Sequence, residues 1–306
     1  MAQGETSAKA ACVLELETGR VLFAFNENSR LPMASTTKVM TALLAIENGS
    51  PGDSVTCSAN AYGVPGTTIY LTEGETLTLR EMLLGLMLVS GNDAAVAIAE
   101  HIGGSVGQFV AMMNARARAL GAVNTHFANP HGLPDDTHVT TALDLARIAR
   151  AAMQNEEFRT LVSTTDAQIP WAGRSHPRQL HNKNRLLTSY PGATGVKTGY
   201  TSRAGRCLVF GASGAGPFLL AAAVGLFLFW FGAKGVKTHS ALKPALIAVP
   251  VLADAVFFAY LLFCIITGKQ AMWDWQLIPS LVTDAAFAVL LALYYVHIAK
   301  EKKKEK

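Results

Sequence analysis

Charge is what this chain has least of. Only 16% of its 306 residues are Asp, Glu, Lys or Arg, half are hydrophobic, and the mean hydropathy is positive. A soluble enzyme usually carries more charge. The deficit lies after residue 217, which directs attention to membrane segments there. Cysteine is also scarce. Cys12, Cys57, Cys207 and Cys264 are scattered without a Cys-x-x-Cys pair, which excludes a disulfide framework and a zinc site. The eight histidines show no metal-ligand spacing, so no metal or other cofactor is implied, and His126, His131 and His181 read as surface or packing residues. Net charge is +4, but five lysines fall in the last seven residues and the remainder is near neutral. That excludes the basic footprint of a nucleic-acid partner. A charged-then-apolar leader is missing from Met1-Ala2-Gln3-Gly4-Glu5-Thr6, so either an export signal has been removed or the downstream membrane segments do the targeting.

What the chain does have begins at Pro32-Met33-Ala34-Ser35-Thr36-Thr37-Lys38-Val39-Met40-Thr41-Ala42-Leu43-Leu44. The apolar run Val39, Met40, Leu43, Leu44 predicts a buried helix starting near Ser35. Ser35 and Lys38 are three apart and share a helix face, so the two side chains can touch. A serine hydroxyl is a weak nucleophile until a neighbouring base takes its proton, and an unprotonated lysine can be that base. The helix start adds free N–H groups and a positive dipole end for a developing oxyanion. By itself the spacing is common and fits a solvated surface pair equally well.

Two other stretches change the balance. Leu86-Met87-Leu88-Val89-Ser90-Gly91-Asn92-Asp93-Ala94-Ala95 sets a polar turn between apolar helical runs, and Gly195-Val196-Lys197-Thr198-Gly199-Tyr200 puts Lys-Thr-Gly on a predicted edge strand. Each has a plain alternative: Ser90 could cap the next helix, Asn92 could be a turn residue, and Lys197 could protect a sheet edge. All three alternatives must hold together to defeat a catalytic reading. Ser-x-x-Lys, Ser-x-Asn and Lys-Thr-Gly, in this order, resemble the motifs of penicillin-binding proteins and class A β-lactamases. From about Thr6 to Ala212 the chain is similar to the D-alanyl-D-alanine carboxypeptidases, which are low-molecular-mass penicillin-binding proteins. The resemblance rests also on Asn129-Pro130-His131-Gly132-Leu133-Pro134, Asn182-Lys183-Asn184-Arg185-Leu186-Leu187 and Tyr190-Pro191-Gly192-Ala193.

The resemblance implies a serine peptidase that removes the terminal D-alanine from peptidoglycan stem peptides through an acyl-Ser35 intermediate. Carried over position by position, Ser35 is the nucleophile, Lys38 its base, and Ser90 a proton relay to the leaving D-alanine. Asn92 would hold the substrate amide, and Lys197 with Thr198 the terminal carboxylate. Gly199 would leave room for substrate along the strand, and the backbone N–H groups of Ser35 and Tyr200 would form the oxyanion hole. β-Lactams are expected to acylate Ser35 and stay there as inhibitors. Efficient β-lactamase deacylation uses an added glutamate in class A enzymes, and Asn129–Thr141 holds Asp135 and Asp136 but no glutamate. The non-enzyme alternative is a membrane protein carrying an impaired, sensor-like penicillin-binding module.

The chain order predicts an α+β fold, the penicillin-binding/β-lactamase-like transpeptidase fold of the resemblance. Strands flank Thr18-Gly19, helices are expected near Ser35–Glu47, Leu79–Val89, Asp93–His101, Gln108–Leu120 and Ala142–Met153, and strands return at Asp166–Ile169, Gly195–Thr198 and Arg206–Gly211. This organisation divides the chain into a catalytic domain, 1–216, a membrane region, 217–299, and a basic tail, 300–306. Three helices are expected in the membrane region, at 217–233, 244–266 and 277–298. At 1.5 Å per residue the latter two reach roughly 33 Å, enough to cross a bilayer. The first contains Phe218–Leu226, which reads either as the catalytic domain's last strand or as the start of a span. Lys234, Lys237 and Lys243, and the lysines from Lys300 to Lys306, are expected on the cytoplasmic side. Three spans then place the catalytic domain on the extracytoplasmic face, with Trp273 and Trp275 at the interface, at the cost of the sheet's final strand. Asp254 and Asp284 fall inside the expected spans and read as tolerated charges rather than a functional pair.

Overall fold

In the computed structural model the described residues are 6–213 and 219–226, all within the unit Met1–Phe229. The chain opens as a hairpin, β1 (Ala10–Glu15) and β2 (Val21–Phe25), turning at Gly19 with φ of +74°. The two strands are built differently. β1, AACVLE, is buried along nearly its whole length, as a strand covered on both faces must be, whereas β2 is half-buried or exposed and stands at the sheet edge.

After the hairpin comes a 3-10 turn, Ala34–Thr37, running straight into α1 (Lys38–Asn48). The short pair β3 (Ser54–Thr56) and β4 (Thr76–Thr78) follows, then α2 (Leu79–Leu84), which starts on a capping box from Thr78 and Glu81. Instead of running on as an α-helix to Val89, the chain loosens into a π-helical turn, Gly85–Val89. Such turns occur frequently at functional sites, and this one delivers Ser90. The remaining helices are α3 (Asn92–Gly103), α4 (Val106–Ala119), α5 (Ala142–Met153), α6 (Glu156–Ser163) and the single turn α7 (Leu186–Ser189). Strands β5 (Asp166–Ile169) and β6 (Arg178–His181) form a separate hairpin.

The chain then returns to the main sheet through β7 (Ala193–Thr201), β8 (Gly205–Ala212) and β9 (Leu219–Leu226). The sheet order is β2-β1-β9-β8-β7, antiparallel throughout. β9 is therefore the bridge between the first strands of the chain and the last. Ala222 pairs with Cys12 on one side and Val209 on the other, and Leu220 and Ala222 are fully buried. α5 packs on β1 and β9, and α1 packs on α5 and α3. From Ala94 to Ala99 every residue of α3 is buried, and so is every residue of α1 from Lys38 to Ala45. Helices apolar on all sides belong in the core, which makes both rigid supports.

This arrangement corrects the first of the three expected spans. Residues 219–226 pair with two strands and are not part of a membrane helix over 217–233. Two leucines, three alanines and the valine and leucine that flank Gly225 give Leu219–Leu226 an apolar run without a helical face, which a doubly covered strand and a span share. The spans expected at 244–266 and 277–298 lie outside the described residues. Among the described residues no helix is long and apolar enough to cross a membrane.

Candidate active site

The fold brings three sequence-distant polar stretches against the start of α1. Ala34, just before Ser35, has a φ of +48°, and Met33 supplies no side-chain cap, so the first N–H groups of this helix start are not covered by a capping side chain. β7 ends the main sheet, and its exposed edge runs against the Ala34–Thr37 turn. The approach is close at Gly199: a Cβ there would stand 2.8 Å from the Ser35 nitrogen and 3.1 Å from the Thr36 nitrogen. Only glycine leaves that gap open.

Lys38 is fully buried. Its Nζ lies 2.8 Å from Asn92 Oδ1, 2.6 Å from the carbonyl oxygen of His131 and 3.3 Å from Ser35 Oγ. Burial, then the nearby Lys197 and Lys183 cations, hold its pKa well below the ordinary lysine value, with Asp93 opposing weakly. A neutral amine has two hydrogens and one lone pair. The Asn92 and His131 oxygens can only accept, so they take the hydrogens. The lone pair is left for the third neighbour, the Ser35 hydroxyl, which then donates to the amine. This is the geometry of a general base on a nucleophile.

The platform under Lys38 comes from the loop Asn129–Leu133. Asn129 Oδ1 accepts from the N–H groups of His131 and Gly132, its Nδ2 donates to the Leu133 carbonyl, and the Pro130 carbonyl accepts from Thr41 Oγ1 at 2.6 Å. Burial pushes the His131 imidazole down to about 3, so its ring is neutral. The functional atom of His131 is its backbone oxygen, not the ring. A packing role was expected for this residue, and side-chain reasoning has no signal for a carbonyl ligand.

Asn92 stands at the start of α3, where its Nδ2 donates to the Pro65 carbonyl at 2.7 Å and its backbone N–H to the Thr67 carbonyl. Both ends of the side-chain amide are therefore engaged within the protein, one on Lys38. Asn92 Oδ1 thereby holds Lys38 in place, and the amide nitrogen has a second hydrogen beyond the one given to Pro65. Next to it, buried Asp93 accepts from the N–H groups of Ile69 and Leu71 and from the Thr68 hydroxyl, tying the 65–71 loop to the helix. Ser90 is buried with φ of +72°, a left-handed conformation at the end of the π-helical turn. It does not cap α3, because the N-cap is Gly91 and no side chain bonds there.

Lys197 is buried on β7 and donates to the Thr198 carbonyl at 2.9 Å. Burial and then Lys183 lower its pKa to about 7. Thr198 and Gly199 are half-buried beside it and the Tyr200 side chain is 66% exposed. Lys183, held by its N–H to the Leu88 carbonyl, is a further lysine whose charge reaches both buried lysines. Its place in the Asn182–Leu187 stretch was noticed but no role was expected for it. Among the described residues no group of three His, Cys, Asp or Glu side chains could hold a metal ion.

The comparisons agree with this geometry. The family model of D-alanyl-D-alanine carboxypeptidase matches residues 1–225. The D-alanyl-D-alanine carboxypeptidase DacF of Bacillus subtilis is 42% identical over 206 residues, 66% of this chain and 53% of that protein. DacB2 of Mycobacterium tuberculosis is 37% identical over 217 residues, covering 70% and 74%. The chain thus spans about half the length of the Bacillus protein. Among solved structures, a D-alanyl-D-alanine carboxypeptidase from M. tuberculosis superposes with a TM-score of 0.70 at 34% identity, over 78% of this chain and 88% of that one. A mutant Streptomyces DD-transpeptidase gives 0.67 at 34% identity, over 72% and 91%. With the sheet, the helical support and the serine–lysine pair in place, the chain belongs to the D-alanyl-D-alanine carboxypeptidase family of serine peptidases.

Proposed function

We propose that this protein is a serine-type D-Ala-D-Ala carboxypeptidase acting on peptidoglycan stem peptides and acylated by β-lactams. One observation carries the reading. Lys38 Nζ, buried and with its pKa well below the ordinary lysine value, lies 3.3 Å from Ser35 Oγ while two carbonyl oxygens take its other contacts, so that as a neutral amine it presents its lone pair to the serine. Ser35 Oγ attacks the carbonyl carbon of the penultimate D-alanine while Lys38 takes the hydroxyl proton. The oxyanion is stabilised by the N–H groups of Ser35 and Tyr200. The C–N bond breaks, and the proton passes from Lys38 through Ser90 to the nitrogen of the leaving D-alanine. Water, deprotonated in turn by Lys38, hydrolyses the acyl-Ser35 ester. Lys197 and Thr198 hold the terminal carboxylate, Asn92 orients Lys38, and substrate lies along the free edge of β7 past Gly199.

Release of D-alanine from a peptide ending in Lys-D-Ala-D-Ala tests this. Wild type is expected to release it and Ser35→Ala and Lys38→Ala to release none; activity surviving Lys38→Ala removes the base. The β-lactamase reading is disfavoured, because Asp135 is turned onto Thr137 and Asp136 onto Arg203, both at the surface. β9 completes the sheet that the sensor reading supposed to be interrupted, which removes that reading's motive.

Members of this family act on peptidoglycan at the cell envelope. Membrane attachment through residues 244–266 and 277–298, with the catalytic unit on the extracytoplasmic face, is part of the same proposal. Because β9 takes residues 219–226 out of the first expected span, the location of the substrate carries the orientation, not the lysine pattern. Protease added to intact cells is expected to reach the catalytic unit; full protection would put it inside.

A further inference from the structure

The peptide unit joining Ala34 to Ser35 has a structural task of its own. A planar trans peptide points its N–H opposite to its C=O. Whatever fixes the Ala34 carbonyl therefore also aims the Ser35 N–H, and Gly199 passes close to that nitrogen. Ala34 needs such a restraint, since its φ of +48° lies in the left-handed region that is unfavourable for an L-residue other than glycine.

The Ala34 carbonyl accepts from Thr37 Oγ1 at 2.8 Å. A hydroxyl has one proton, so with that proton on Ala34, Thr37 Oγ1 must accept from its other neighbour, His138 Nε2, at 2.7 Å. His138 Nδ1 in turn accepts from the Ala128 N–H at 3.0 Å. That bond leaves the ring proton on Nε2, which is the tautomer the Thr37 contact requires. A directed chain therefore runs from the Ala128 amide through imidazole and hydroxyl to the Ala34 oxygen, with Thr37 and His138 both buried. Burial holds the imidazole neutral, at about 4. A second wall closes the other side: a Cβ on Gly132 would fall 1.9 Å from the Ala34 oxygen and 2.9 Å from Thr37 Oγ1. Each bond in such a chain polarises the next, so the Ser35 N–H is made a stronger donor as well as an aimed one.

We infer that Thr37 and His138 are positioning residues that set the direction and strength of the Ser35 N–H as an oxyanion donor. The inference rests on the acyl-transfer reading of Ser35. Neither side chain touches Ser35 or Lys38 by any hydrogen bond in the site, so both act through the Ala34–Ser35 peptide.

The test is the rate of penicillin acylation of purified full-length protein, resolved into initial binding and covalent step, with thermal melting alongside. Thr37→Val keeps the shape and removes the hydroxyl. It should slow the covalent step roughly 10- to 100-fold, less than loss of a whole oxyanion donor, with initial binding unchanged. Thr37→Ser, which restores the hydroxyl, should recover most of the rate. His138→Ala should slow the same step, and the double variant should be no slower than Thr37→Val alone, since the two sit in one chain. A covalent step at wild-type rate in folded Thr37→Val, or losses that multiply in the double variant, overturns the inference alone. If wild type takes no penicillin while melting as a folded protein, the acyl-transfer reading falls and takes the inference with it.

Discussion

Lys38 bonds to an amide oxygen, a backbone carbonyl and a hydroxyl, none of them charged. No anion is in direct contact, and burial together with Lys197 and Lys183 opposes protonation. The sign of the pH response follows. As pH falls through the lowered pKa of Lys38, the amine gains a third hydrogen, the lone pair is lost and acylation slows. As pH rises past about 7, free-enzyme Lys197 loses the charge that binds a carboxylate. The value of kcat/KM is therefore expected to be bell-shaped, with an alkaline arm that disappears in Lys197→Gln; an alkaline arm that survives this change assigns it to another group. Stability has its own sign. The folded pKa of Lys197 lies below its unfolded value, so the unfolded chain binds more protons between about 7 and 10.5, and stability rises with pH across that window. Melting curves across it should shift upward, less so in Lys197→Met. At this scale the sequence spoke through side-chain identity: Ser35, Lys38 and Lys197 stood out. The carbonyls of Pro65, Pro130 and His131, which hold the site, did not, because every residue has one.

At the scale of elements, two glycines with opposite surroundings test how tightly the parts fit. Gly132 is pressed on the Ala34 carbonyl with φ of +91°, so Gly132→Ala forces the Asn129–Leu133 loop away and takes the His131 carbonyl from Lys38. D-alanine release should fall about 100-fold, the cost of a misplacement near 1 Å, and stability should drop. Gly107 is exposed in the first turn of α4 with nothing near it. Gly107→Ala should leave activity unchanged and raise stability by about 0.5–1 kcal/mol in chemical denaturation. Helices were the legible elements: α5 has the bounds its apolar spacing predicts. The end of the expected Leu79–Val89 helix was not legible, because a π-helical turn keeps the same apolar residues and changes only the backbone bonding. The hairpin β5–β6 was half legible, since β6 carries Arg178, buried on Glu75 at 2.9 Å; a buried ion pair looks like surface charge in a one-dimensional reading.

For the whole molecule the decisive strand is β9, which joins strands from the two ends of the catalytic unit. A charge at its centre has no water and no partner, so Ala222→Asp should unfold the unit and abolish penicillin binding. Retained binding by that variant would mean the sheet holds without this strand. The α+β architecture was legible from the order of strands, helices and strands. The status of residues 219–226 was not, because an apolar octet fits both a covered strand and a membrane helix, and only pairing with β1 and β8 separates them.

The most direct measurement is the mass of the intact protein and of its proteolytic peptides after exposure to benzylpenicillin. The account expects one penicilloyl adduct, on the peptide containing Ser35, and none on Ser35→Ala. An adduct on any other residue, or an unmodified wild-type protein that is folded, contradicts it.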